Sequence, residues 1–185
     1  MPSEQEVREL VRAAVEALTE PAPSPVTSST EIASGPVAIA VGSDHGGFPL
    51  KEKIAFSLRE RGYDVHDCGT GGNEPVDYPE FAHAVARLVA DGTCRWGIIV
   101  DGAGIGSCIV ANKVPGIRAA LCYDLSSARN SREHNHANVL TLGAGLIGTN
   151  LAMQIVDEWL ATEWGPGRHE RRVGLITEID RRYRA

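Results

Sequence analysis

Four short clusters in this chain bring together side chains and glycines suited to acid–base or anion chemistry. GSDHGG (42–47) sets Asp44 beside His45, and DGAGIG (101–106) sets Asp101 ahead of Gly102, Gly104 and Gly106. SREHNHAN (131–138) offers His134, Asn135, His136 and Asn138, and GPGRHERR (165–172) offers Arg168, His169, Arg171 and Arg172. Asp44 and His45 read either as a general acid and base or as a hydrogen-bonded pair at a strand end. The glycines at 102, 104 and 106 alternate strictly, so they miss the dinucleotide-binding spacing. They leave either a tight turn or a row of backbone N–H groups at a helix N-terminus, a nest for a phosphate or a developing oxyanion. His134 reads as a reactive imidazole or as a histidine meeting a helix dipole. Arg168 and Arg172, four apart on a helix, share a face and either clamp one anion or stand solvated. His66 and His83 lack a polar constellation and read as structural. The six histidines show no zinc-binding spacing, so no metal is expected.

These clusters need elements to hold them, and from Val37 onward strand and helix patterns alternate. Short apolar runs at 37–43, 63–69, 96–102, 117–123 and 138–143 predict five strands. Helical spacing predicts helices at 49–61, 78–90, 105–113, 125–133, 146–160 and 169–183. Alternation of this kind implies parallel crossovers, hence an α/β fold whose five-stranded parallel sheet carries helices on both faces. Near-continuous apolar strands agree, because a parallel sheet is buried on both sides. Ligands of such folds sit beyond the C-terminal strand ends, and all the chemistry-bearing clusters are expected to gather there.

Composition narrows the classes. Hydrophobic residues make up 43% and charged residues 23% of 185, enough to fill one core. The net charge of −6 excludes the clustered basic surface of a nucleic-acid binder. No apolar run approaches the roughly 18–20 residues of a membrane span. Four cysteines without a CxxC pair predict reduced thiols in a soluble cytoplasmic protein.

GSDHGGFPLK, VDYP, DGAGIG, ANKVPGIRA, SREHNHAN and GRHERRV occur in that order over residues 36–180. Together they resemble the sugar-phosphate isomerase family of ribose-5-phosphate isomerase B and galactose-6-phosphate isomerase. The resemblance implies a Rossmann-like three-layer α/β/α fold, a homodimer or homotetramer with sites built across the dimer interface, and no cofactor. It implies aldose–ketose interconversion through a cis-enediolate, with ribose 5-phosphate and ribulose 5-phosphate the default pair. By motif, His134 opens the sugar ring, and Asp44 and Asn135 bind hydroxyls. His45, Arg168 and Arg172 hold the phosphate, Tyr78 lines the pocket, and the amides of Gly102 to Gly106 stabilise the enediolate oxygen.

Four positions depart from the family pattern. The base of many members is a Cys just before the glycine loop, where this chain has Asp101. Others use a Glu several residues on, at the position of Ser107, and the usual Thr or Ser within the loop is Ala103. A further phosphate-binding Arg is replaced by Gly145. A carboxylate is a competent base for enolisation, so Asp101 is assigned that role in place of Cys. Cys108, within the following helix, is poorly placed to substitute. One subunit type of the two-subunit galactose-6-phosphate isomerase carries Asp here. The alternative is therefore a non-catalytic or partner-dependent sugar-phosphate-binding subunit of a hetero-oligomer.

Ahead of the domain (37–185), residues 1–19 show one apolar stripe through Val7, Leu10, Val11, Ala14, Val15 and Leu18. Residues 20–36 are a Pro/Ser-rich linker. An amphipathic helix on such a linker resembles the encapsulation peptides of bacterial microcompartment cargo, which implies a shell-protein partner and residence inside a microcompartment. Residues 1–35 carry −4 of the net charge, which leaves the domain nearly neutral and hospitable to an anionic sugar.

Overall fold

The strand AIAVGS (β1, Ala38–Ser43) sends Ile39 and Val41 to one face and Ala40 to the other, and all three are fully buried. That two-sided burial recurs in WGIIVD (β3, Trp96–Asp101) and VLTLG (β5, Val139–Gly143). The structure, a computed structural model, describes Gln5 and residues 35–183. The chain divides between Ser34 and Gly35, so the expected N-terminal helix and nearly all of the linker lie outside the described residues.

With β2 (Asp64–Asp67) and β4 (Ala119–Leu121) at the edges, the sheet has the order β2-β1-β3-β5-β4 and every pair is parallel. Parallel neighbours need return connections, and helices supply them. These are α1 (Phe48–Glu60), α2 (Tyr78–Ala90), α3 (Ile105–Ala111), α4 (Leu125–Glu133) and α5 (Thr149–Ala161). Ile39, Val41, Ile98, Val100, Leu140 and Leu142 pack with α1, α4 and α5 on one face. Ala40, Ile99 and Val139 pack with α2 and α3 on the other, giving the three layers expected.

Topology fixes where chemistry can sit. The chain leaves β1 toward β2 on one side and toward β3 on the other, so the switch point lies between the C-terminal ends of β1 and β3. Asp44 follows the first of these strands and Asp101 ends the second. The fifth helix starts at Thr149 rather than 146, because Ala144 and Gly145 first fold back to donate to the Asp101 and Gly102 carbonyls at 2.8 and 2.9 Å.

A sixth helix, α6 (Gly167–Arg182), buries none of its residues and exposes Leu175, Ile176 and Ile179. Among the described residues no helix is long and apolar enough to cross a membrane, and all four cysteines are free thiols.

Candidate active site

The loop after β3 is built around one carboxylate. Gly104 occupies the N-cap of α3 and has no side chain to receive the helix's free amides. Asp101 does so from three residues upstream. Its Oδ1 accepts from the amides of Ala103, at 2.8 Å, and of Gly104. Its Oδ2 accepts from the Ser107 amide at 3.1 Å and the Ser107 hydroxyl at 2.5 Å. A carboxylate has about four lone-pair sites, so all are engaged. Asp101 is 5% exposed and Ser107 is fully buried.

Gly104 has φ +75°, and a Cβ there would sit 2.8 Å from the Leu142 carbonyl carbon and 3.1 Å from the Gly143 nitrogen. Gly104→Ala is therefore expected to cost about 2 kcal/mol or more in thermal unfolding and to displace Asp101 with the loop. Around this loop Tyr123 donates its hydroxyl to the Ala103 carbonyl at 2.9 Å. Tyr78 lies against Gly106, where a Cβ would fall 2.5–2.7 Å from its ring and hydroxyl.

Asp44, 9% exposed, is fixed by the Gly47 amide to its Oδ1 at 2.9 Å. A methyl on Gly46 would lie 3.4 Å from that oxygen and 3.6 Å from the Gly102 nitrogen, so Asp44 faces the glycine loop. His45 Nδ1 accepts from the Val76 amide at 3.2 Å, which places the neutral ring's proton on Nε2. The segment carrying Val76 is anchored by Lys51, 2% exposed, which donates to both Asp67 oxygens and to the Thr70 carbonyl.

The expectation that every cluster gathers at the C-terminal strand ends is corrected by the structure. His134 caps the C-terminus of α4. Helices of a parallel sheet run back against the strands, so this end lies at the sheet's opposite edge, where β5 begins. Strands of five or six residues separate the edges by roughly 17–20 Å. At that far edge His134 Nδ1 pairs with Asn130 Nδ2 at 2.8 Å, and Asn135 reaches Asn130 Oδ1 at 3.5 Å. The His134 ring stacks on His169, with centroids 4.1 Å apart and planes 7° apart, and Arg168 Nε meets His169 Nε2 at 3.3 Å. The candidate residues thus fall into two groups, Asp44, His45, Tyr78, Asp101 and Gly102 to Gly106 in one, and His134, Asn135, Arg168 and Arg172 in the other.

A second correction concerns the nest, because the Gly104 amide serves Asp101 rather than an oxyanion. The Gly102 amide has no partner among the described residues. Gly145 lies against Gly102, where a Cβ would sit 3.0 Å from the carbonyl oxygen. Cys108 turns away from the loop, its Sγ 3.4 Å from the Ala119 carbonyl.

The whole length of the domain agrees with known proteins. Residues 39–176 match the model of the Ribose/Galactose Isomerase family. The chain belongs to this family. It is 48% identical over 144 residues to ribose-5-phosphate isomerase B of Escherichia coli, covering 78% of this chain and 97% of that one. It is 43% identical over 142 residues to D-erythrulose-4-phosphate isomerase of Pectobacterium atrosepticum, covering 76% and 93%. The solved Clostridium thermocellum ribose-5-phosphate isomerase B superposes with a TM-score of 0.78 at 54% identity, over 80% of this chain and 99% of that one. The isomerase family is one of aldose–ketose interconversion, and this chain is an enzyme of that kind.

Two residues of the isomerase were absent from the sequence reading of the site. Ser107 appeared only as a missing Glu, although its place at the third position of a helix capped by glycine points its amide and hydroxyl back toward residue 101. Asn130 lies four residues before His134, on the same helix face. Two residues beyond His134, His136 has φ +50°, and burial, with Arg118, Arg132 and Arg95 nearby, holds its imidazole below the usual histidine range. The unfolded chain then binds the extra proton first, so stability is full above about pH 6.5 and falls as pH drops toward the folded value. Thermal unfolding at pH 7.5 and 5.5 is expected to show a smaller acid loss in His136→Asn, since Asn also tolerates a left-handed backbone.

Proposed function

We propose that this isomerase interconverts an aldose phosphate and a ketose phosphate of four or five carbons through a cis-enediolate, with Asp101 as the proton-transferring base. The observation that carries this reading is the buried Asp101 carboxylate at the switch point, facing Asp44 across the glycine loop. Of its four donors only the Ser107 hydroxyl can also accept. When Oδ2 takes the substrate's proton, Ser107 rotates to receive that O–H, while the Ser107 amide and the two amides on Oδ1 hold the group in place. The hydroxyl proton passes between the two enediolate oxygens, return of the abstracted proton to the neighbouring carbon completes the isomerisation, and the Gly102 amide donates to the enediolate oxygen.

Substrate binding uses both groups. Asp44 takes sugar hydroxyls, and His45 presents its Nε2–H to the phosphate beside Tyr78. A second copy of the chain brings His134 for ring opening, Asn135 for hydroxyl binding, and Arg168 and Arg172 for the phosphate. Exposed apolar groups support this homo-oligomer. Ile105, Ile109 and Leu146 lie near the Asp101 loop at 49%, 57% and 61% exposure, and Leu175, Ile176 and Ile179 are exposed on α6.

Relatives of similar identity are named for a five-carbon and a four-carbon substrate. Ribose 5-phosphate is the first choice, and D-erythrulose 4-phosphate is the second because Gly145 supplies no phosphate contact. Incubating each in D2O with the pure protein and following deuterium uptake tests the reading. Uptake by one sugar phosphate is the expected result, and none with either would overturn it. The fully engaged Asp101 carboxylate also favours a second reading, in which it only caps α3 and turnover depends on a base supplied by a partner chain.

A further inference from the structure

A cavity of about 460 Å³ lies away from the Asp101 loop, at the edge of the sheet where β1 and β3 begin. Its chemistry is one-sided. Arg95 and Arg132 line it with His136, Tyr63, Trp96 and Trp164. The Arg132 side chain is 4% exposed, donates one N–H to the Ala137 carbonyl at 2.5 Å, and leaves its Nε without a partner. Its guanidinium lies 3.9 Å from the Trp96 ring centroid and 5.0 Å from that of Trp159, while Arg95 lies 4.7 Å from Trp96. Arg118 stands behind, donating to the His136 carbonyl at 2.8 Å. No carboxylate bridges any of these three arginines among the described residues. One carboxylate, the exposed Glu163, reaches the cavity lining.

Burying one guanidinium beside two others without a counter-charge is costly, and a bound anion offsets that cost. The strain registers on Arg132, whose pKa is pushed down to about 10 by burial and by Arg95 and Arg118. The cavity volume falls in the range of small-organic-ligand sites and exceeds what an inorganic oxyanion fills. Trp96 and Trp164, the latter stacked on His136 at 4.6 Å between centroids, supply ring faces for an apolar body.

We infer that this cavity is a second ligand site, separate from the isomerisation chemistry, for an organic oxyanion (a phosphate ester or carboxylate) that carries a planar or apolar group. The site is coupled to the His134 group by sequence: His136 is two residues from His134, and Trp164 is four from Arg168. Its ligand is thereby placed to modulate activity.

Calorimetry on the full chain tests the inference, with adenosine monophosphate, indole-3-acetate and inorganic phosphate as probes. Adenosine monophosphate or indole-3-acetate is expected to bind at least about tenfold more tightly than inorganic phosphate, the better of the two distinguishing a phosphate ester from a carboxylate. Binding should weaken about tenfold or more in Arg95→Glu, an exposed position whose replacement spares the fold, and persist in the doubly substituted Arg168→Gln, Arg172→Gln protein. No heat from either organic probe, equal affinity for inorganic phosphate, indifference to Arg95→Glu, or loss in the double variant would each overturn it.

Discussion

Asp101→Asn is expected to lower deuterium uptake into the sugar phosphate by about 10²–10⁴-fold, the usual span for loss of a general base. The substitution is isosteric but not neutral to the fold. An Asn keeps one acceptor oxygen and turns an NH2 group toward donors, either the Ala103 and Gly104 amides or the Ser107 amide and hydroxyl. That conflict costs about 1–3 kcal/mol, so a lower melting temperature accompanies the loss whichever role Asp101 plays. Ser107→Ala separates the roles. It removes one donor of four and leaves the helix cap largely intact, with a stability change of about 1 kcal/mol. If Asp101 is the base, losing the hydroxyl that receives its proton slows exchange well beyond what that small destabilisation explains. Exchange unaltered in Ser107→Ala, together with substantial exchange surviving in Asp101→Asn, would leave Asp101 as a cap alone.

The sheet and its helices were legible because each strand is a short apolar run and each helix keeps one stripe. The run 96–101 and the stripe Leu50, Ile54, Leu58 appear in the core where the spacing put them. The edge strand at 117–123 was read too long. Only Ala119–Leu121 pairs, with β5 alone, and Asn138 and Asn112 side chains take over the backbone groups of Arg118 and Ala119. The group at the C-terminal edge was legible for the same local reasons, since Asp44 follows β1 directly and Asp101 ends β3. The placement of His134 was not, because its cluster precedes a strand and therefore lies at the opposite edge, a consequence of chain direction that motif spacing does not carry. The rotation of Asp101 into its own glycine loop was equally hidden. It depends on Gly104 lacking a capping side chain while Ser107 provides a hydroxyl at the right height.

That separation of the two groups leads to the sharpest expectation from the proposed shared site. Asp101→Asn and His134→Ala chains should each be nearly inactive alone, yet become active when unfolded together and refolded as a mixture. In a mixed dimer one site combines the Asp101 of the His134→Ala copy with the His134 of the Asp101→Asn copy, and is intact. The other site carries both lesions. Random association of equal amounts makes half of the dimers mixed, each with one good site of two, so about a quarter of wild-type activity returns. Complementation needs both residues in one pocket and on different chains, which the roughly 17–20 Å between the two edges of the sheet requires. A mixture no more active than its components would mean that each site is completed within one chain, or that His134 takes no part. Refolding wild type with a chain that carries both substitutions tests the shared site independently. Under the shared-site geometry a mixed dimer of that kind has no intact site, so activity falls as the square of the wild-type fraction, whereas a site completed within one chain loses activity only in proportion.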